Sequence, residues 1–133
     1  MSDGTPGYAL VPDEARHILR VSCAGMLDVP LARAMITEAR LAAAEGGLSL
    51  LYDFTGVTLS AKVTDLFEFP KSLEVYREAR TLSIPVAIVV PVGRDAGFWK
   101  FYVDAATRAG HTIKAFHAEG DAVAWLSRLR AEG

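Results

Sequence analysis

The sequence predicts an α/β fold: a single domain of order ββαβαβαβα, with a mixed, mainly parallel sheet and helices packed against it. Three observations predict it. Pro85-Val86-Ala87-Ile88-Val89-Val90 is β-branched and without a polar face, the mark of a strand buried on both sides. From residue 28 onward, short apolar stretches alternate with longer stretches of helical spacing, the pattern of strand–helix–strand units. The length, 133 residues, suits one domain and lets roughly two-thirds of the extended chain's surface be buried.

Residues 1–7 read as a flexible N-terminal tail and residues 8–130 as the domain. Tyr8-Ala9-Leu10-Val11 is a short strand, followed by turn chemistry at Pro12-Asp13-Glu14-Ala15. His17 to Cys23 alternates, with Ile18, Arg20 and Ser22 against Leu19, Val21 and Cys23, and Ala24-Gly25 ends it. The two strands pair as a hairpin. Asp28 then caps a helix with Pro30 in its first turn. Leu31, Met35, Ala39, Ala42 and Ala43 form its apolar stripe, while Arg33, Thr37, Glu38 and Arg40 lie mostly off it. Gly46-Gly47 stops it.

Leu48 to Tyr52 is a strand ending at Asp53, and 54–62 reads as a polar loop. Val63, Leu66 and Phe67 open a helical pattern that Pro70 interrupts and that Leu73, Tyr76, Ala79 and Leu82 resume. Proline inside a helix costs about 3 kcal/mol, so a bend or break is expected there. With that bend, Leu66, Phe67 and Phe69 cannot all share one buried stripe with Leu73 and Tyr76. After the 85–90 strand come a Gly-containing loop with Asp95 as helix cap and a helix bearing Phe98, Phe101, Tyr102, Ala105 and Ala109. Gly110 ends that helix. Thr112 to Phe116 is the last strand, and Asp121 stands near the start of a final helix with Ala122, Trp125, Leu126 and Leu129.

Composition narrows the role. The chain is 51% apolar and 23% charged, which excludes disorder. Fourteen Lys and Arg against 16 Asp and Glu give a net charge of −2, with no basic block to neutralise phosphates, so no nucleic-acid partner is expected. A single cysteine, Cys23, allows no intramolecular disulfide and fits a reducing compartment. The N-terminal residues do not resemble a signal peptide, and the longest apolar run, Ile84 to Val92, is far short of the ~20 residues of a membrane span. The expectation is a cytoplasmic protein.

Ligand sites in open α/β sheets gather at the carboxyl ends of the strands. Three stretches stand there: Asp53-Phe54-Thr55, Gly93-Arg94-Asp95 and His117-Ala118-Glu119. The loop from Val90 to Gly97 opens a helix, where unpaired N–H groups and Arg94 can hold an anion; the plainer reading is a turn with a capping Asp95. His17, His111 and His117 read as exposed or half-exposed strand-end histidines without metal spacing, so no metal or cofactor is expected. His117 near Asp53 or Asp95 would make an acid–base pair. Ser60 lacks a nucleophile-elbow context, and Cys23 reads as a small core residue. No acid–base–nucleophile set is present, and the chain reads as not an enzyme. Leu66, Phe67, Phe69, Leu73 and Tyr76 read as core packing or, more sharply, as a flap over an apolar cavity or a partner surface. Trp99 and Trp125 read as core.

The element order resembles the STAS domains, which include bacterial anti-sigma factor antagonists. Leu50-Leu51-Tyr52-Asp53-Phe54-Thr55-Gly56-Val57-Thr58 is similar to their strand-to-loop stretch. Pro85 to Val92, Arg94-Asp95-Ala96-Gly97, Lys114-Ala115-Phe116 and Asp121-Ala122-Val123-Ala124-Trp125-Leu126 resemble the SpoIIAA-like (STAS/CRAL-TRIO-type) bacterial proteins, over residues 8–130. The resemblance implies a regulatory role through partner proteins; the CRAL-TRIO relatives bind lipids in an apolar cavity. The regulatory members carry a phosphorylated serine in an Asp-Ser-(Ser/Thr)-Gly motif. Here Leu59-Ser60-Ala61-Lys62-Val63-Thr64 lacks its Asp and Gly, so no kinase-dependent switch is expected there.

The first reading is therefore a non-catalytic STAS-like domain acting through a protein partner or as a homodimer. The alternative is a carrier or sensor of a small apolar, lipid-like ligand under the 60–80 segment. The residues that would serve are Asp53, Thr55, Ser60, Phe67, Phe69, Tyr76, Arg94 and His117.

Overall fold

In the computed structural model, residues 7–59, 83–93 and 95–132 are described. Five strands form one sheet in the order β1-β2-β3-β4-β5: Tyr8–Asp13, Ile18–Leu27, Ser49–Leu59, Val86–Val89 and Ile113–Phe116. β1 runs antiparallel to β2, and the other three pairings are parallel. The helices among the described residues are α1 (Val29–Gly46), α2 (Ala96–Arg108) and α3 (Glu119–Glu132). The helix expected between β3 and β4 falls outside the described residues.

The sheet is covered on both faces. Leu19, Val21, Leu50, Tyr52, Val86 and Ile88 meet α1 and α2 in the main core. On the opposite face Ile18, Leu51, Ala87 and Val89 meet Ala122 and Leu126 of α3. All four residues of β4 are buried, as its lack of a polar face predicts. Ile18 is therefore not on a polar face, because α3 covers that side of β2.

The helix ends follow their residues. The Leu31 N–H donates to Asp28 Oδ1 at 2.9 Å, the expected cap. At the other end of α1, Gly47 takes φ +67 and the Leu48 N–H returns to the Ala43 carbonyl at 2.9 Å. α2 ends in the same way: Gly110 lies at φ +100 and the His111 N–H reaches the Ala106 carbonyl at 3.1 Å. That closure folds His111 inward, to 5% exposure, against the expectation of a surface histidine. Asp95 does not cap as expected. It stands before α2 in a left-handed conformation, φ +56, and its side chain makes no capping hydrogen bond.

The strands β2 and β3 run further than the sequence suggests. β2 passes through Ala24-Gly25 to Leu27, and β3 continues through the expected loop to Leu59. The pairing steps from Ser22↔Asp53 to Ala24↔Gly56, so β3 carries one extra residue opposite Cys23. The buried positions accordingly run Leu50, Tyr52, Phe54 and then Val57. The slip breaks the two-residue period, which is why the stretch reads as a loop.

Two side chains of the helices also depart from their expected places. Arg40 is 4% exposed, on the buried side of α1 beside Ile36 and Ala39. Phe101 is 54% exposed, while Trp99 is the buried aromatic of α2. Trp125 is partly buried and meets the Phe116 ring at 5.7 Å.

Candidate functional site

Asp53 and Thr55 come together on the β3 bulge. Asp53 Oδ1 accepts the Thr55 N–H at 3.0 Å and its hydroxyl at 2.7 Å, supplying a partner for a backbone donor that the bulge takes out of the ladder. Asp53 Oδ2 accepts from Arg20 Nη2 at 3.2 Å. The same guanidinium donates to Glu119 Oε1 at 2.7 and 3.0 Å and to Ser22 Oγ at 2.6 Å. The Glu119 hydrogen bond holds Arg20 protonated even more firmly than usual. Glu119 belongs to the strand-end stretch 117–119 singled out in the sequence; Arg20 and Ser22 were missed, since Arg20 stands 99 positions from Glu119 and no local pattern joins them. The cluster clasps the start of α3 to β2 and β3. These groups are partly in water, so each pair contributes only about 0.2–1 kcal/mol.

His117 does not pair with Asp53 or Asp95. Its Nδ1 lies 3.2 Å from the Val90 carbonyl, an acceptor, so the ring proton sits on Nδ1. Asp53 is engaged by Arg20 and Thr55 instead. Cys23 is buried, and that burial, with Asp53 second, pushes its thiol up to about 11. Ser60, Phe67, Phe69, Tyr76 and Arg94 lie outside the described residues, as does Pro70 with its expected bend.

Between α1, α2 and the sheet lies a cavity of about 20 Å³, walled by Leu27, Met35, Phe54, Phe98 and Trp99. Phe54 is stacked between Tyr52, at 5.4 Å and 14°, and Trp99, at 5.0 Å and 12°. A second cavity of about 20 Å³ includes Arg40, Tyr52 and Val86 in its wall, and Ile36, Phe54 and Tyr102 line both. Trp99 Nε1 is buried and has no hydrogen-bond partner among the described residues.

Burial lowers the His111 pKa to about 4, with the Arg40 charge as second cause. The folded state thus prefers the neutral ring, and the unfolded chain takes up the proton at higher pH. The stability this gives is complete above about 6.5 and drains away as pH falls toward 4, by about 3 kcal/mol in full. Denaturant titrations from pH 7 to pH 4 are expected to show that loss, and His111→Leu to flatten it. Equal slopes in the two proteins would count against it.

Among the described residues no group of three His, Cys, Asp or Glu is placed to hold a metal ion, and no helix is long and apolar enough to cross a membrane. No family model matches the chain, and neither does any curated protein. A solved structure does: an uncharacterized protein of the DUF3478 family with a SpoIIAA-like fold, from Shewanella loihica PV-4. It superposes with a TM-score of 0.56 at 20% identity, over 95% of this chain and 98% of that one. With its five-stranded, mostly parallel sheet between helices, this chain has a SpoIIAA-like fold.

Proposed function

We propose that the chain is a non-catalytic, regulatory binding domain that works through a partner protein or a second copy of itself, at the carboxyl-terminal rim of the sheet. The exposure of Met26 and Val92 carries this reading: 58% and 77%, at the end of β2 and just after β4. Large apolar side chains gain roughly 25 cal/mol per Å² when a partner covers them. β2 and β3 end together there, Leu27 pairing with Leu59. The chemistry of the titratable groups agrees with a non-catalytic role. Cys23 is held as a thiol, His111 as a neutral ring, and Asp53 is committed to Arg20 and Thr55.

The double substitution Met26→Ser/Val92→Ser tests the reading. Stability is expected to stay within about 0.5 kcal/mol, as for surface positions, while self-association in sedimentation runs, or retention of a host protein, is lost. A wild-type chain that stays monomeric at every concentration and retains the same proteins with and without the substitutions overturns it.

The second reading is a carrier or sensor of a small apolar ligand. The cavity favours it, with its aromatic wall and the unsatisfied Trp99 N–H. Native mass spectrometry of protein purified from its own host is expected to show a retained small molecule; bare chain alone would count against it.

A further inference from the structure

We propose that the outer edge of β1 pairs with β1 of a second copy of this chain, antiparallel about a two-fold axis at Leu10, so that the two sheets join into one. This interface goes beyond the rim reading above and uses neither Met26 nor Val92.

The backbone phase carries the inference. In an antiparallel pair every second residue turns its N–H and C=O toward the neighbour, and the others turn theirs away. The phase is fixed on both sides of β2. The Ala24 N–H donates to the Gly7 carbonyl at 3.0 Å, and the His17 carbonyl accepts the Ser49 N–H on the β3 side at 2.8 Å. In the register from Tyr8↔Cys23 to Asp13↔Ile18, Gly7, Ala9, Val11 and Asp13 therefore face β2, and Tyr8, Leu10 and Pro12 face outward. Among the described strands β1 pairs only with β2. Its free edge offers the Tyr8 and Leu10 N–H groups as donors and the carbonyls of Tyr8, Leu10 and Pro12 as acceptors. Pro12, which has no N–H, stands where β2 needs none.

This pattern is complementary to itself. With the axis at Leu10, the two Leu10 residues exchange both their bonds, and each Tyr8 N–H meets the Pro12 carbonyl of the other copy. Every free donor on both edges is used, and Pro12 is asked only for its oxygen. An axis at Val11 or Pro12 wastes donors against the proline nitrogen. An axis at Ala9 uses the donors but sets Val11 opposite Gly7, whereas the Leu10 axis sets it opposite Ala9. Val11 is apolar and 52% exposed, so it gains from that cover. Asp13 falls opposite Gly7, and no like charges meet. Nothing guards this edge: the register of β1 is unbroken, and no charged residue stands from Tyr8 to Pro12. The opposite edge, β5, is a strand of 4 residues that carries Lys114, both common guards.

Sedimentation equilibrium of the full chain, with amide exchange followed by NMR in dilute and concentrated samples, tests this. A dimer is expected, with the Leu10 and Tyr8 amides slowing as concentration rises and those of Ala9 and Val11 protected throughout. Leu10→Pro removes a donor that β2 does not use and is expected to weaken the dimer at least tenfold, while Met26→Ser/Val92→Ser leaves it unchanged. Should Leu10→Pro not fold, Val11→Glu is the second variant. It faces Arg20 within the chain but brings two carboxylates together across the axis, and a loss of at least tenfold is expected. A wild type that stays monomeric, or Tyr8 and Leu10 amides that exchange equally fast at both concentrations, overturns the proposal. A dimer lost in Met26→Ser/Val92→Ser and kept in Leu10→Pro and Val11→Glu also overturns it and leaves the rim reading standing.

Discussion

Val89→Asp is expected to abolish the cooperative thermal transition. Val89 is 3% exposed, in the cluster that α3 closes with Leu126 and Ala122. An aspartate there lies in register between Asp53 on β3 and Phe116 on β5. It faces the like charge of Asp53 on the same side of the sheet, and the nearby Arg20 guanidinium is already committed to Asp53, Glu119 and Ser22. An uncompensated buried charge costs about 3–5 kcal/mol, set against a total stability of about 5–15 kcal/mol for a domain. Val89→Ala is the control, since it removes methyl groups and adds no charge. Circular dichroism melts check both, with hydrogen exchange on the wild type, where the β4 amides are expected among the slowest. A cooperative Val89→Asp melt near the wild-type temperature would remove β4 from the core.

Phe54→Ala is the second large effect. The ring stacks on Tyr52 and Trp99 and forms a wall of both cavities. Deleting a core phenylalanine costs about 3–5 kcal/mol, part of it from the void left behind. The two lost ring contacts lie within that figure. Because the first cavity's remaining walls are apolar and aromatic, the void enlarged on that side is expected to take up an apolar probe such as benzene. Benzene should then raise the melting temperature of Phe54→Ala and leave that of the wild type unchanged. A loss below 1 kcal/mol in urea titrations would mean that the ring is not packed as described.

Local chemistry made most of the scaffold legible. Asp28, Gly47 and Gly110 each act within a few residues of themselves, so their helix ends could be read directly. The apolar run of β4 needed no partner to be recognised. The misreadings share a cause: the deciding contact is distant or breaks a period. β3 was cut short because its bulge shifts Phe54 and Val57 out of alternation. Arg40 was placed on the polar side of α1 because a charged side chain gives no sign that a cavity awaits it. His111 lies just after Gly110, and only the closure at that glycine turns it inward. Of the candidate site, Asp53 and Thr55 were found together through strand-end logic. Glu119 was found by the same logic, but its partner Arg20 was not, since only the finished sheet brings α3 beside β2.

The strand order of the sheet matches the order of the chain, each strand pairing with the one synthesised before it. No strand waits for a later one to be inserted between itself and its neighbour. A chain leaving the ribosome can therefore build from one edge, with β1 and β2 closing first as a hairpin and α1 covering them before β3 docks. Each later strand then meets an edge that already exists, and the loop closed at each step spans one connection rather than the whole domain. The cost falls on the open side. Until β5 and α3 arrive, β4 exposes an apolar surface on the face that α3 will cover, and that is the interval in which the growing chain is most prone to aggregate.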